Sequence, residues 1–238
     1  MFDFSTRVAL VTGAAGNLGG AVAHKLRAAG AQLVLVDHES DRLPRLFPDL
    51  AAPPAHFLAN GVDLTDAEAV EAMVAEALAR LGRIDLLVNA AGGWQGGSPV
   101  YETPLETWDL LLDLNARSVF LTCRAVVPAM LERGYGKIVN VAARSGLSGD
   151  ARNGVYAASK SAVIRLTESL AAELKAKGLN VNCVLPGTID TPQNREAMPK
   201  ADHSRWVPPE AIADVILFLA SDAAWPVNGA AVPVYGRS

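Results

Sequence analysis

The chain has 238 residues, half of them apolar and 19% charged, which excludes a disordered polymer and suits one α/β domain with a large core. Its 21 basic and 25 acidic side chains leave a net charge of −4, so no basic excess draws it to nucleic acid or to an anionic membrane. No apolar run approaches the ~18 residues of a spanning helix, and residues 1–6 have neither the basic nor the apolar stretch of a secretory leader. The expectation is a cytoplasmic protein with no membrane partner.

Strand-like and helix-like segments alternate along the chain. Residues 7–11 form a short apolar run followed by glycines, and 17–29 have helical composition that stops at Gly30. Residues 32–37, Gln-Leu-Val-Leu-Val-Asp, read as a buried strand ending in an acid. A Pro-rich stretch over 44–54 reads as a surface loop. Thr65 is placed to cap a helix over 66–81, with Gly82 ending it. Residues 85–89 are a further strand, followed by helices at about 104–113 and 116–133, then a strand over 137–141. A long helix spans about 154–177 and stops at Gly178. Residues 179–185, 209–220 and 230–234 read as strand, helix and last strand. Short apolar strands alternating with longer helices predict a doubly wound parallel sheet with helices on both faces. No repeat or linker divides the chain, so residues 1–238 are read as one domain. Residues 188–208 form a loop about twenty residues long, a length that is usually functional.

Cys123 and Cys183 lie in apolar runs and read as small core hydrophobes. His24, His38, His56 and His203 are scattered without cysteine partners, so no metal site is expected.

Between the first strand and first helix lies Thr12-Gly13-Ala14-Ala15-Gly16-Asn17-Leu18-Gly19. Glycines here let the backbone turn tightly against a pyrophosphate, which the helix N-terminus then faces with free N–H groups. Asp37 ends the second strand, 18 residues after Gly19. A carboxylate there can accept hydrogen bonds from both hydroxyls of an adenosine ribose and repels an added phosphate. Ala14, Ala15 and His38 surround it without an adjacent Arg or Lys, which favours NAD over NADP. Tyr156 and Lys160 are four residues apart near the start of the long helix, so phenol and ammonium share one face. A nearby ammonium favours the phenolate and is expected to lower the Tyr156 pKa from ~10, as suits proton transfer near neutral pH. Alone, such a pair is common on helix surfaces; its weight comes from the glycine loop upstream.

With these motifs in place the chain resembles the short-chain dehydrogenase/reductase family over nearly its whole length. The resemblance rests on Thr12-Gly13-x-x-Gly16-x-x-Gly19, Asp63-Leu64, Asn89-Ala90-Ala91-Gly92, Asn115, Tyr156-x-x-x-Lys160 and Pro186-Gly187-x-x-x-Thr191. It implies a Rossmann-type fold and an oxidoreductase moving a hydride between nicotinamide and a small carbonyl or alcohol. Gly13, Gly16, Asn17 and Leu18 would meet the pyrophosphate. Asp63, with Leu64 beside it, would bind the adenine amino group, and Asn89, Ala90, Ala91 and Gly92 would pass the adenine ribose. The resemblance implies that Tyr156 is the general acid or base and that Lys160 holds the nicotinamide ribose. Asn115 would anchor a water relaying protons. Pro186 and Gly187 would lead to the Ile189 backbone and the Thr191 hydroxyl, which hold the carboxamide.

The sequence departs from the family twice. Asn17 stands where glycine is usual, a residue that still tolerates the loop's backbone. Thirteen residues before Tyr156, where the family has its catalytic serine, stands Ala143. Three readings stay open: Ser145 supplies the hydroxyl, Arg144 binds a polar or anionic substrate, or the substrate needs no serine. Dihydropteridine reductases resemble this pattern, with alanine at the same place, so reduction of a quinonoid substrate is an alternative. A nucleotide-binding regulatory protein with impaired catalysis is the reading from another class, which the retained Asn115, Tyr156 and Lys160 oppose. Residues 92–100, 144–153 and 188–207 are expected to wall the substrate pocket, with Trp94 and Trp206 as aromatic candidates; they select no substrate. The resemblance further implies a homotetramer or homodimer, built through 104–133 and 154–177.

Overall fold

The computed structural model describes residues 2–50 and 56–237. Seven strands form one parallel sheet: β1 (Val8–Thr12), β2 (Gln32–Asp37), β3 (Phe57–Asn60), β4 (Leu86–Asn89), β5 (Gly136–Val141), β6 (Leu179–Pro186) and β7 (Ala231–Val234). Their order is β3-β2-β1-β4-β5-β6-β7. The order reverses between β1 and β4, which pair from Ala9 with Leu86 to Thr12 with Asn89. A crevice opens at such a switch point, beyond the carboxyl ends of the strands.

Side-chain alternation along each strand feeds two cores. In β1, Ala9 and Val11 face one cluster, while Val8 and Leu10 face the other. The first cluster takes Val22 and Leu26 of α1 (Asn17–Ala28) and Ile212, Ile216 and Leu219 of α8 (Pro209–Ala220). The second takes Val74 of α3 (Ala67–Leu81), Val126 and Met130 of α5 (Ser118–Arg133), and Val163 and Ile164 of α6 (Gly154–Leu174). Both faces are therefore covered, which explains the unbroken apolar runs of the inner strands. Cys123 and Cys183 are buried within the second cluster.

Several boundaries differ from the sequence expectation. Phe57–Asn60 is an edge strand that residue pattern alone did not give; it pairs with β2 from Val34 to Asp37. The stretch read as a loop over 44–54 is not one through residue 50. It holds the second half of α2 (Arg42–Leu46) and a 3₁₀ turn at Pro48–Leu50; Phe47 and Leu50 within it are buried, as is Leu43 just before it. Residues 51–54 of that stretch lie outside the described residues. The cap of α3 is Asp66, not Thr65: Asp66 Oδ1 accepts from the N–H groups of Glu68 (2.8 Å) and Ala69 (3.3 Å). Gly82 ends α3 at φ 72°, as expected.

The two helices read over 104–133 are α4 (Leu105–Leu112) and α5 joined without a break by a π turn at Asp113–Arg117. Such turns shift the helical register by one residue, and this one carries Asn115, fully buried. Residues 188–208 also carry structure. They include α7 (Pro192–Ala197), a 3₁₀ turn at His203–Arg205 and a parallel bridge from Ile189 to Val207. No helix among the described residues is long and apolar enough to cross a membrane.

Candidate active site

The glycine loop leaves β1 at Thr12, whose Oγ1 accepts from the N–H groups of Ala90 and Ala91, both at 3.1 Å. These bonds hold the loop against the segment after β4. Gly13 has φ +62°, and a Cβ there would stand 2.8 Å from the Ala91 Cα, so only glycine fits. Gly16 precedes α1 with no side-chain cap, and no acid sits in the first turn. The N–H groups around Asn17 and Leu18 therefore keep the positive end of the helix for an outside anion. The Asn17 amide itself donates to Gln193 Oε1 of α7 at 2.9 Å.

Asp37 is only 5% exposed at the end of β2. Its Oδ2 accepts from Ala15 N and its Oδ1 from Glu39 N, both at 3.2 Å, and His38 Nδ1 lies 3.4 Å from Oδ1. The carboxylate is thus fixed on the rim of the glycine loop. Arg42, a few residues on, pairs with Glu39 at 2.9 Å. Asp63 is exposed beyond β3, and its Oδ1 takes both the N–H (2.8 Å) and the hydroxyl (2.7 Å) of Thr65. Those bonds hold its carboxyl below the usual range. Leu64 is half-buried at the edge of the second core.

Asn89 turns its side chain into the core. Thr122 donates to its Oδ1 at 2.8 Å, its Nδ2 donates to Asn140 Oδ1 at 2.9 Å, and Asn140 donates to Thr167 Oγ1 at 2.9 Å. Its carboxamide thus ties β4 to α5 and β5, and Asn140 carries the tie on to α6; Ala90, Ala91 and Gly92 follow Asn89 along the crevice.

At Gly92 three site elements meet. A Cβ there would stand 2.8 Å from Asn115 Oδ1 and 3.1 Å from Lys160 Nζ. Asn115 Oδ1 accepts from Gly93 N, and its Nδ2 donates to Gly93 O and Ser159 Oγ, each at 3.0 Å. Ser159 in turn donates to the Tyr156 carbonyl at 2.8 Å. The Asn115 amide is therefore a clamp between the β4 loop and the first turns of α6, and no side-chain donor is left over for a water. Ser159 is a buried member of the site that sequence reasoning missed; a serine inside a helix carries no signal until its distant partner is known.

Lys160 is 5% exposed and donates to the Val141 carbonyl at 3.0 Å. Burial pushes it down to about 8. Burial also pushes the Tyr156 phenol up to about 12, which corrects the expectation that Lys160 lowers it. The reason is that desolvation penalises the charged form of each group. Below about pH 8 the pair therefore rests as ammonium and neutral phenol.

Ala143 is buried at the end of β5 in extended backbone. The next three residues, Arg144–Gly146, form a 3₁₀ turn. Ser145 Oγ accepts from Asn153 Nδ2 at 3.3 Å, and the Arg144 guanidinium lies 5.1 Å from the Tyr235 ring centre. Beyond Pro186, Gly187 N donates to Val234 O at 3.1 Å. Thr191 caps α7, its Oγ1 accepting from Asn194 N at 3.1 Å, while Asn194 Nδ2 donates to Ile189 O at 2.8 Å. The Thr191 hydroxyl proton is left to donate elsewhere. Among the described residues no cluster of three His, Cys, Asp or Glu is placed to hold a metal.

The short-chain dehydrogenase family model matches residues 7–202. The chain belongs to the short-chain dehydrogenase/reductase family. It is 36% identical to a D-threitol dehydrogenase of Mycolicibacterium smegmatis, over 99% of this chain and 94% of the relative. It is 35% identical to a meso-2,3-butanediol dehydrogenase of Serratia marcescens, over 98% and 94% of the two chains. A solved levodione reductase superposes with a TM-score of 0.89 at 33% identity, covering 98% of this chain and 97% of that one. As a family member the protein is an oxidoreductase that moves a hydride with a nicotinamide cofactor, NAD or NADP. The glycine cradle, the uncapped α1 and the open crevice along Ala90–Gly92 fit such a group.

Proposed function

We propose that this protein is an NAD-dependent dehydrogenase acting on a small secondary alcohol or its ketone, with Tyr156 as proton donor and acceptor. The observation that carries the reading is the meeting of Gly92, Asn115 and Lys160 one helical turn from Tyr156. Gly13, Gly16, Asn17 and Leu18 would hold the pyrophosphate, Asp37 the adenosine ribose, Asp63 the adenine, and Lys160 the nicotinamide ribose. Ile189 and Thr191 would hold the carboxamide. The nicotinamide supplies or accepts the hydride when bound. Tyr156 Oη gives its proton to the substrate oxygen in reduction and takes one in oxidation. A phenol at about 12 stays protonated at neutral pH, so the reductive direction has its acid ready, while oxidation gains as pH rises. Lys160, an ammonium below about 8, places positive charge where the phenolate forms.

Asp37 supports NAD over NADP: a buried, fixed carboxylate repels a 2′-phosphate, and Arg42 is held by Glu39. The diol-named relatives support vicinal diols and hydroxyketones as first substrates to try. Exposed Leu105, Trp108, Leu110 and Phe120 on α4 and α5 support burial of these helices in a homodimer or homotetramer. The test is reduction of 2,3-butanedione and oxidation of meso-2,3-butanediol with each cofactor, in the wild type and Tyr156→Phe. Turnover with NAD(H) that Tyr156→Phe abolishes supports the reading; full turnover by the variant refutes the role of Tyr156.

A further inference from the structure

Trp94, Asn153 and Ser145 form a hydrogen-bonded chain between three segments that follow β4, precede α6 and follow β5. Trp94 follows the β4 loop, Asn153 precedes α6, and Ser145 lies in the turn after β5. Trp94 Nε1 donates to Asn153 Oδ1 at 3.1 Å, and Asn153 Nδ2 donates to Ser145 Oγ at 3.3 Å. An indole N–H can only donate, so it decides which end of the Asn153 amide faces it. The oxygen must face Trp94, and the NH₂ must then face Ser145. Ser145 therefore accepts, and its single hydroxyl proton is directed away from Asn153.

Two further observations show that this arrangement is held. Asn153 occupies the N-cap of α6 yet makes no capping bond, although an asparagine cap is worth about 1 kcal/mol. Its amide is committed to Trp94 and Ser145 instead. The turn bearing Ser145 is also seated on the catalytic helix: a Cβ on the adjacent Gly146 would stand 2.9 Å from the Lys160 carbonyl carbon, and Ser161 donates to Gly146 O at 2.6 Å.

The geometry points to Asn153 as a positioning residue that makes Ser145 the hydroxyl donor to the substrate oxygen, in place of the hydroxyl Ala143 lacks. The inference rests on the dehydrogenase reading above. It adds that the donor has moved two residues along the loop and is oriented from the N-cap of α6, with Trp94 fixing the amide.

Asn153→Asp tests the orientation without removing volume. A carboxylate still accepts from Trp94 but has nothing to give Ser145, so Ser145 donates to it and its proton is lost to the substrate. With 2,3-butanedione and NADH, Ser145→Ala is expected to lower kcat ~10²-fold, as for loss of one oxyanion donor, leaving cofactor KM unchanged. Asn153→Asp is expected to lose nearly as much, to recover relative to wild type as pH falls and the carboxyl regains a proton, and to add nothing to Ser145→Ala. Wild-type kcat in Asn153→Asp beside an impaired Ser145→Ala overturns the role of Asn153 alone. Wild-type kcat in Ser145→Ala removes the donor and the inference with it, while Tyr156→Phe still reports on the dehydrogenase reading. A second measurement needs no substrate: in ¹⁵N-labelled free protein, Ser145→Ala is expected to move the Asn153 side-chain NH₂ resonances. Unmoved resonances overturn the inference.

Discussion

Replacing Lys160 by Met tests how strongly the crevice resists charge. The Lys160 ammonium is buried and falls from an ordinary 10.5 to about 8, because little water reaches it and, among the described residues, its hydrogen-bond partner is the Val141 carbonyl. In the unfolded chain it titrates near its ordinary value. Between these two values the unfolded state binds more protons, so stability rises with pH across that window. At ~1.4 kcal/mol per unit, the full gain is about 3 kcal/mol, most of it between pH 7 and pH 10. Met fills similar space and has no titration there. The free energy of urea unfolding is therefore expected to rise by about 2–3 kcal/mol more in the wild type than in Lys160→Met from pH 7 to pH 10. Tyr156 contributes in the opposite sense, since its raised pKa costs stability above its ordinary value. Both proteins carry it, and the difference removes it. Parallel pH dependences in the two proteins would show that water reaches Lys160, and would refute the low pKa.

Three other substitutions have defined outcomes. Gly92→Ala sets a methyl 2.8 Å from Asn115 Oδ1 and 3.1 Å from Lys160 Nζ; kcat is expected to fall at least ~10-fold, as displacement of site groups does, with the fold kept by circular dichroism. Asp66→Ala is expected to cost about 1 kcal/mol in urea unfolding, whereas Thr65→Ala, which removes no cap, is expected to cost less; the reverse order would return the cap to Thr65. Asp37→Ala removes the carboxylate that excludes a 2′-phosphate, so fluorescence titration is expected to show weaker NADH binding and a smaller gap to NADPH. An unchanged ratio would mean that Asp37 does not select the cofactor.

The strands that cross the core were legible because burial on both faces leaves continuous apolar runs, as in Leu33–Val36 and Val8–Val11. β3 was not. Phe57-Leu58-Ala59-Asn60 is short, half-buried and poor in strand formers, and becomes a strand by pairing with β2. The segment before it shows the same limit. Leu43, Phe47 and Leu50 repeat at helical spacing and are all buried, but Pro44 and Pro48 between them signal a loop. In the candidate site, the places of Gly13, Asp37, Tyr156 and Lys160 in the fold were legible because each sits at an element boundary or spacing with its own physical reason. The clamp of Asn115 on Ser159 was not, since the partners are 44 residues apart.

The same distinction explains why the Tyr156–Lys160 spacing predicted the direction of the phenol's shift wrongly. Spacing on a helix reports proximity, and proximity alone favours the charged pair. Burial depends on what the rest of the chain places around the helix. Here the Arg144–Gly146 turn sits directly on the Lys160 backbone, and Gly92 brings the β4 loop to its ammonium. The buried chain Thr122–Asn89–Asn140–Thr167 fastens the strands that carry these segments to α5 and α6. Cutting that chain at one member leaves a buried polar partner unsatisfied, at about 1–3 kcal/mol. The walls of the crevice are thus fixed by the core, and they set a dry environment in which Lys160 is readily neutralised and Tyr156 keeps its proton. In that setting Val141 does more than pair β5 with its neighbours. By meeting the Lys160 ammonium with a fixed carbonyl dipole, it takes over part of what water does for an exposed lysine, while Asn115 holds Gly93 and Ser159 around it.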